Sequence, residues 1–309
     1  MWIPRVYDLF QIAISIFGTV GNILFAITII LVPFKSKLTN SLLILQCIFD
    51  ALASFSYLLV KYVPRYTQTT SSAINSLICH VWSTQVVFWY CIMGSVQTLL
   101  WIALDRFIAV LRPVIYGKYP KQLIILSKTW IYVISTILVI PTSFELSVVN
   151  GTCQDTPLIS PDYYIIHVKI YALFWYIFIY IGPTTLFAII YYKIISYIQK
   201  NLRLNANDKV KKSTMIITMA TIFITLQFVI LVFLDASYYV AGAFGIVKYV
   251  YYGPIQEVGI LMLSLSSCIN PIICIITLKI RRQICMKTLL PCFNRYQNHG
   301  KIGPTDTII

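Results

Sequence analysis

Ionisable side chains stand inside two long apolar stretches of this 309-residue sequence. Asp105 and Arg106 are adjacent at the polar edge of one stretch, and Asp50 lies in the middle of another. Because a charge in apolar surroundings is costly, each of these residues needs a partner or a mechanical role. A buried carboxylate among oxygen ligands can bind a hard cation, or it can stay protonated within a hydrogen-bond network. Both interpretations of Asp50 stay open.

The residue types needed for catalysis are scattered along the chain. Its three histidines, His80, His167 and His299, form no His-x-x-x-His pattern, and no Cys-x-x-Cys pattern occurs. A metal site or an activated nucleophile requires such residues to converge. The two halves of the chain also lack the internal repeat that is typical of secondary transporters. We therefore expect neither an enzyme nor a transporter.

The composition indicates a protein that spans a membrane. Hydrophobic residues make up 59% of the chain, charged residues make up 11%, and the mean hydropathy is +0.80. Ordinary soluble domains are about 25% charged. A stretch of about 20 apolar residues crosses a bilayer as a helix, which satisfies its own backbone hydrogen bonds. The sequence predicts an all-α membrane protein, a seven-transmembrane helix bundle, with spans at residues 8–32, 40–63, 79–111, 122–144, 167–199, 213–238 and 253–277.

The basic residues are distributed unevenly between the two sides of this bundle. The net charge is +14, and only five of the 24 lysines and arginines fall on the side that includes the N-terminus. Positively charged loops stay in the cytoplasm. We therefore expect a multi-pass plasma-membrane protein with its N-terminus outside and its C-terminus in the cytoplasm. Most of the basic residues are expected to contact anionic membrane lipid, and no nucleic-acid partner is expected.

Two motifs resemble those of rhodopsin-like (class A) G-protein-coupled receptors. The run 104–116, which reads Leu-Asp-Arg-Phe-Ile-Ala-Val-Leu-Arg-Pro-Val-Ile-Tyr, is similar to the family's Asp-Arg-Tyr region, with Phe107 in place of the tyrosine. Asn270 and Pro271 open a run similar to Asn-Pro-x-x-Tyr, in which Cys274 replaces the tyrosine. The sixth span departs most from the family, because Leu-Gln-Phe-Val at 226–229 stands where Cys-Trp-x-Pro is usual.

The resemblance implies roles for three sets of residues. The residues implied in activation and G-protein coupling are Asp105, Arg106, Phe107, Tyr191, Asn270 and Pro271, with Lys209, Lys211 and Lys212 as basic contacts. A sodium ion is implied at Asp50 within a polar set formed by Asn22, Asp50, Ser95, Ser267 and Asn270. A disulfide is implied between Cys79 and Cys153. Cys79 lies 27 residues before Arg106, about two more than is usual, so we expect a bulge in the third helix or Cys79 in the preceding loop.

Three further features concern modification and the C-terminal region. Asn150 begins an Asn-x-Thr glycosylation pattern on the side expected to be outside. Residues 279–290 alternate basic and apolar side chains with helical spacing, which resembles the family's short amphipathic eighth helix. Cys285 and Cys292 are candidates for palmitoylation or remain free thiols. We divide the chain into a receptor domain at 1–292 and a short cytoplasmic tail at 293–309.

The sequence specifies the ligand only by broad class. Phe88 occupies the position where amine receptors of the family carry an aspartate, which disfavours a biogenic amine. An aromatic mouth of mixed charge suits an extracellular peptide, or a small molecule, and its expected residues are Gln85, Phe88, Trp89, Gln227, Asp235, Gln256 and Glu257. The ligand is expected to activate a heterotrimeric G protein. Phe107, Cys274 and the altered sixth span leave open a receptor-like protein without conventional G-protein signalling, such as a ligand sink, a dimer partner or an unconventional chemosensory receptor.

Overall fold

The computed structural model describes residues 3–34, 36–64, 68–149, 152–155, 161–202, 209–250 and 253–277. Within these ranges, the helices long and apolar enough to cross a membrane are Asp8–Leu31, Lys37–Val60, Ser72–Leu111, Pro120–Phe144, Ile166–Lys200, Thr218–Ala243 and Pro254–Ile273, seven in all. The predicted seven-helix bundle is therefore confirmed, and we number the spans first to seventh in this order. The expected eighth helix, Cys285, Cys292, Asn150 and the tail lie outside the described residues.

The spans are built from helices of different length and type. The α-helices are α1 (Ile3–Leu31), α2 (Lys37–Tyr62), α3 (Ser72–Leu77), α4 (Val86–Leu111), α5 (Pro113–Lys118), α6 (Pro120–Val139), α7 (Pro161–Tyr176), α8 (Gly182–Leu202), α9 (Lys209–Ala243) and α10 (Pro254–Thr277). Four of them begin at a proline, whose missing N–H costs nothing in the first turn of a helix. Helix α2 is instead capped by Ser36, whose hydroxyl accepts a hydrogen bond from the Thr39 amide over 3.2 Å.

The third span contains the irregularity that the cysteine spacing predicts. Helix α3 continues into a π-helical segment, Ile78–Ser83, and α4 begins after a turn in which Gln85 adopts a left-handed conformation with φ 56°. Cys79 lies within the π-helical segment and forms the expected disulfide with Cys153. Cys153 belongs to β2 (Thr152–Asp155), which pairs antiparallel with β1 (Leu146–Val149). The disulfide therefore attaches a β-hairpin to the third span.

The fifth and sixth spans differ in regularity. In the fifth span, α7 is followed by a π-helical segment, Ile177–Ile181, directly before Gly182 and Pro183. Pro183 has no N–H that could donate to a carbonyl of the preceding turn, and a π-helical turn accommodates the missing hydrogen bond. In contrast, the sixth span lies in one 35-residue α-helix, Lys209–Ala243. This continuity agrees with the absence of the usual proline at 229.

The third span is the centre of the bundle. Its buried side chains pack against the second, fourth, fifth and sixth spans. Gly94 permits a close approach to the second span, because a Cβ at that position would lie 2.6 Å from the Phe49 ring. The Trp130 indole donates to Gln97 over 3.0 Å, and Gln97 donates to the Phe178 carbonyl over 3.0 Å, which joins the third, fourth and fifth spans. The apolar side chains on the outward faces are exposed in the isolated chain, as expected where lipid covers them.

Candidate functional site

Arg106 lies in a buried polar cluster at one end of the bundle, which we call the arginine end. Its Nε donates to Asp105 Oδ2 over 3.1 Å, and its Nη2 donates to Asp105 Oδ2 and to the Thr39 hydroxyl. Thr39 in turn donates to Asp105 Oδ2 over 2.8 Å. Only 1% of Asp105 and 6% of Arg106 are exposed. The two adjacent charges therefore form a hydrogen-bonded ion pair that is shielded from solvent.

Tyr116 completes this cluster from outside the third span. Its hydroxyl donates to Asp105 Oδ1 over 2.6 Å and contacts the Ser36 hydroxyl. Burial and the neighbouring charge of Asp105 both raise the pKa of Tyr116, so the phenol remains a hydrogen-bond donor at neutral pH. We call Ser36, Thr39, Asp105, Arg106 and Tyr116 the arginine cluster. Ser36 and Thr39 were not predicted from the sequence, although both lie at the start of the second span, beside the end of the third.

Asp50 is the centre of a second buried group, midway along the bundle. Its Oδ1 accepts hydrogen bonds from the hydroxyls of Ser95 over 2.7 Å and Ser267 over 3.3 Å. Its Oδ2 accepts from Asn270 Nδ2 over 2.8 Å and from Gln46 Nε2 over 3.0 Å. These five residues, which we call the polar core, join the second, third and seventh spans. Four of them were predicted from the sequence, whereas Gln46, which lies one helical turn before Asp50, was not.

Asn22 adjoins the polar core. Among the described residues, no hydrogen bond joins it to Asp50. Its Nδ2 donates to the backbone carbonyls of Gly18 over 2.8 Å and Ser267 over 3.0 Å. These bonds hold the first span against the seventh at Ser267, whose hydroxyl bonds to Asp50. Asn22 therefore positions Ser267 through its backbone.

The polar core contains oxygen atoms that could hold a hard cation. The Asp50 carboxylate and the Ser95 and Ser267 hydroxyls are oxygen ligands, which hard cations prefer. Gln46 Oε1 is buried, and it has no hydrogen-bond partner among the described residues. An additional oxygen is therefore available close to the carboxylate. The part of the chain that the structure describes contains no group of three or more His, Cys, Asp or Glu side chains suited to another metal.

Gln227 connects the sixth span to the polar core. Its Nε2 donates to Asn270 Oδ1 over 2.8 Å and to the Ser266 hydroxyl over 3.0 Å. Gln227 was predicted to lie in the ligand pocket, whereas the structure positions it beside the polar core. Asn270 thus bonds to both Asp50 and Gln227, directly before Pro271, which lies inside α10. A change in the sixth span can therefore reach the seventh span at its proline.

Two other activation candidates lie toward the arginine end. Tyr191 is buried on the fifth span and faces Thr221 and Thr225 of the sixth span. Phe107, which directly follows Arg106, is partly buried and packs against the hydrophobic core. The family's tyrosine at that position would carry a hydroxyl that Phe107 lacks.

A cavity opens at the opposite end of the bundle, which we call the disulfide end. The empty space within it, together with the open solvent at its entrance, is about 540 Å³. The third to seventh spans and the β-hairpin surround it. The residues that line it are Thr84, Gln85, Trp89, Thr142, Glu145, Leu146, Tyr171, Trp175, Asp235, Tyr239, Tyr249 and Gln256. Four of the predicted pocket residues, Gln85, Trp89, Asp235 and Gln256, are among them.

Two further predicted pocket residues, Phe88 and Glu257, lie beside the lining residues Trp89 and Gln256 rather than in the lining. Phe88 is buried between Tyr57 and Trp89, with ring centroids 5.6 Å and 5.2 Å away. Glu257 accepts hydrogen bonds from Tyr57 over 3.1 Å and from Gln11 over 3.3 Å, so it joins the first, second and seventh spans. These residues could not be distinguished from lining residues by sequence. When almost all residues of a helix are apolar, their order does not show which face of the helix is turned toward the cavity.

Aromatic side chains that the sequence analysis did not select form much of the cavity wall. The Trp175 ring centroid lies 6.2 Å from that of Trp89 and 5.3 Å from that of Tyr239. The Tyr239 hydroxyl donates to Glu145 over 3.1 Å, and the Tyr171 hydroxyl donates to the Leu138 carbonyl over 2.6 Å. The high aromatic content of the fifth span was the available signal for Tyr171 and Trp175.

Comparison with known proteins agrees with this architecture. A family model described as 7 transmembrane receptor (rhodopsin family) matches residues 21–273, which contain the arginine ion pair, the polar core and the cavity. No curated protein matches the chain at a significant level. Because the family match covers most of the chain, the protein belongs to the rhodopsin family of seven-transmembrane receptors.

Proposed function

We propose that this protein is a plasma-membrane receptor that transmits the binding of an extracellular ligand to a heterotrimeric G protein. The disulfide end would face outward and the arginine end would face the cytoplasm, as the distribution of basic residues indicates. The observation that carries the proposal is the arginine cluster, in which a buried Arg106 is held by Asp105 and Thr39. On this proposal the cluster has two arrangements, the closed one observed here and one in which Arg106 is released.

Activation is then a shift between two arrangements of the bundle. In the resting arrangement, Asp105 holds Arg106, and Thr39 and Tyr116 hold Asp105. In the active arrangement, Arg106 is released and contacts the inserted C-terminal helix of the G protein. A ligand produces this shift only if it binds the active arrangement more tightly than the resting one. Lys209, Lys211 and Lys212 are proposed as further G-protein contacts.

The polar core is proposed to transmit the change between the two ends. Gln227 bonds to Asn270, and Asn270 bonds to Asp50, so a displacement of the sixth span alters the surroundings of the carboxylate. Asp50, Ser95 and Ser267 would hold a sodium ion in the resting arrangement. Such an ion supplies a positive charge that offsets the buried carboxylate. Its loss would accompany activation.

The ligand is proposed to be a peptide or a small molecule that enters the cavity at the disulfide end. We would test the function in cells with a G-protein dissociation assay across the G-protein classes, using a peptide and amine library. The matched variants are Arg106→Ala and Arg112→Ala, because Arg112 is an exposed arginine six residues later. A response present in the wild type and in Arg112→Ala, but lost in Arg106→Ala at equal surface expression, supports the proposal. A response that survives in Arg106→Ala contradicts it.

A second candidate function is ligand binding without conventional nucleotide exchange. The observation that favours it is the unbroken α9, Lys209–Ala243, because the family's sixth-helix proline provides a hinge for activation. A ligand sink or a dimer partner needs no such hinge. Ligand binding to cells without dissociation of any G-protein class would favour this candidate.

A further inference from the structure

Asp235 is a buried carboxylate in the wall of the cavity. It lies on the sixth span, and only 4% of the residue is exposed. Asp235 makes no hydrogen bond or ion pair with any residue that the structure describes. A buried charge without a partner is costly, and proteins normally neutralise or pair it. A partner for this carboxylate is therefore expected from outside the described residues.

Gly259 on the seventh span leaves room for this carboxylate. A Cβ at that position would lie 2.9 Å from Asp235 Oδ1 and 3.0 Å from Asp235 Cβ. Such contacts are closer than packed atoms tolerate, so any larger residue would displace the acid. The glycine therefore allows Asp235 to fit between two spans at the edge of the cavity.

The rest of the cavity wall suits a cation. Its described lining contains a second acid, Glu145, and no lysine, arginine or histidine. The rings of Trp89, Trp175 and Tyr239 follow one another along the wall. Aromatic faces attract ammonium and guanidinium groups, most strongly where water is excluded. An acid beside several aromatic rings is the arrangement that such groups prefer.

Gln85 supplies a second unpaired acceptor. Its backbone is in the left-handed region, which is unfavourable for a residue with a side chain. Its Oε1 is buried and has no hydrogen-bond partner among the described residues. Gln85 lines the same cavity as Asp235. The cavity wall therefore presents a second oxygen that can accept a hydrogen bond from a ligand N–H.

We infer that the cavity binds a ligand through a cationic nitrogen, an ammonium or guanidinium group, with Asp235 as its counter-ion and the aromatic wall around it. This inference deepens the proposed function, on which its biological meaning rests. It also revises the expectation that disfavoured an amine ligand. The third span has Phe88 where amine receptors carry an aspartate, but Asp235 supplies an acid from the sixth span. The cation could belong to a small amine or to the free amino group or basic side chain of a peptide.

The test is ligand-dependent thermal stabilisation of the purified full chain in lipid nanodiscs, without any G protein. Two pairs of probes each compare a cation with a neutral counterpart. Phenethylamine is paired with 2-phenylethanol, and phenylalaninamide is paired with N-acetylphenylalaninamide. We expect at least one cation to bind about tenfold more tightly than its counterpart, since a charged hydrogen bond and ring contacts are both lost in the neutral molecule. The pair that responds distinguishes a small amine from a peptide terminus.

Three variants assign the effect to Asp235. Asp235→Asn keeps the shape of the side chain and should abolish the preference for the cation. Asp8→Asn makes the same chemical change at an exposed position and should retain it. If Asp235→Asn does not fold, Gly259→Ala displaces the carboxylate without removing it and should weaken cation binding severalfold.

Three results would overturn the inference: no cation stabilises the wild type, both neutral probes bind as tightly as the cations, or the Asp235 variant keeps the preference. Because no G protein is present, these results do not depend on signalling. Cation binding without G-protein activation in cells would instead contradict the proposed function alone.

Discussion

Replacing Tyr116 by phenylalanine tests how the arginine cluster keeps the receptor inactive. The Tyr116 hydroxyl donates to Asp105 Oδ1 over 2.6 Å, and Asp105 in turn holds Arg106. Tyr116→Phe removes that donor and retains the ring. If the bond exists only in the resting arrangement, its loss favours the active one. We therefore expect higher signalling in the absence of ligand.

The size of the effect follows from the charge of the acceptor. A hydrogen bond to a charged group contributes about 1.5–3 kcal/mol, and about 1.4 kcal/mol changes an equilibrium tenfold. Asp105 is only 1% exposed, so water replaces the lost donor poorly while the cluster stays closed. The ratio of active to resting receptor should rise about tenfold, for example from about 1% to about 10% active.

The assay is ligand-independent G-protein dissociation in cells, normalised to surface expression. Tyr119→Phe is the matched control, because Tyr119 is 40% exposed and lies one turn later in the chain. We expect raised basal activity in Tyr116→Phe and wild-type activity in Tyr119→Phe. Unchanged basal activity in Tyr116→Phe, with a normal response to agonist, would refute the idea that this bond stabilises the resting arrangement.

Four further outcomes are expected. Cys79→Ser or Cys153→Ser should each reduce surface expression and lower the melting temperature, because the disulfide closes a loop between positions 74 residues apart and such bonds contribute about 2–5 kcal/mol; a melting temperature equal to that of the wild type would contradict this. Asp50→Asn should abolish any dependence of agonist affinity on sodium, measured by titration of sodium against a potassium control. Gly94→Ala should lower the melting temperature, because the added methyl group would lie 2.6 Å from the Phe49 ring and overpacking costs about 1–3 kcal/mol. The free energy of unfolding should fall as pH rises above 10, because the unfolded chain then loses the Tyr116 proton that the folded protein, with its raised pKa, retains; Tyr116→Phe should show a smaller fall.

The spans and the central polar residues could be predicted from the sequence for physical reasons. A bilayer requires long apolar helices, so hydropathy alone located all seven spans. Most of the predicted ends lie within about one helical turn of the ends in the structure. Charged residues are rare at that depth, so Asp50 and the Asp105-Arg106 pair were conspicuous. The disulfide between Cys79 and Cys153 followed from the family resemblance and is confirmed.

The neighbours of those residues were harder to predict. Gln46 and Thr39 are common polar residues, and only the packing of the spans brings them to Asp50 and Asp105. Gln227 was expected in the ligand pocket but bonds to Asn270. In a membrane, both faces of a helix are apolar, so periodicity does not reveal which face is turned inward.

The third span illustrates a signal whose meaning was only partly accessible. The long spacing from Cys79 to Arg106 predicted either a bulge or a cysteine in the preceding loop. The structure has a π-helical segment at Ile78–Ser83 and a left-handed Gln85. The number of extra residues was visible in the sequence, whereas the local backbone that absorbs them depends on the hairpin attached to Cys79.

Nucleotide exchange on a purified G protein, catalysed by the purified receptor in lipid vesicles, tests the signalling function most directly. The assay compares the wild-type receptor with Arg106→Ala. Each is measured with and without a ligand that has already been shown to bind the two receptors with equal affinity. We predict that the ligand accelerates exchange with the wild type and not with Arg106→Ala. Ligand binding without acceleration of exchange for any G-protein class would contradict the proposal and favour a receptor-like binding protein.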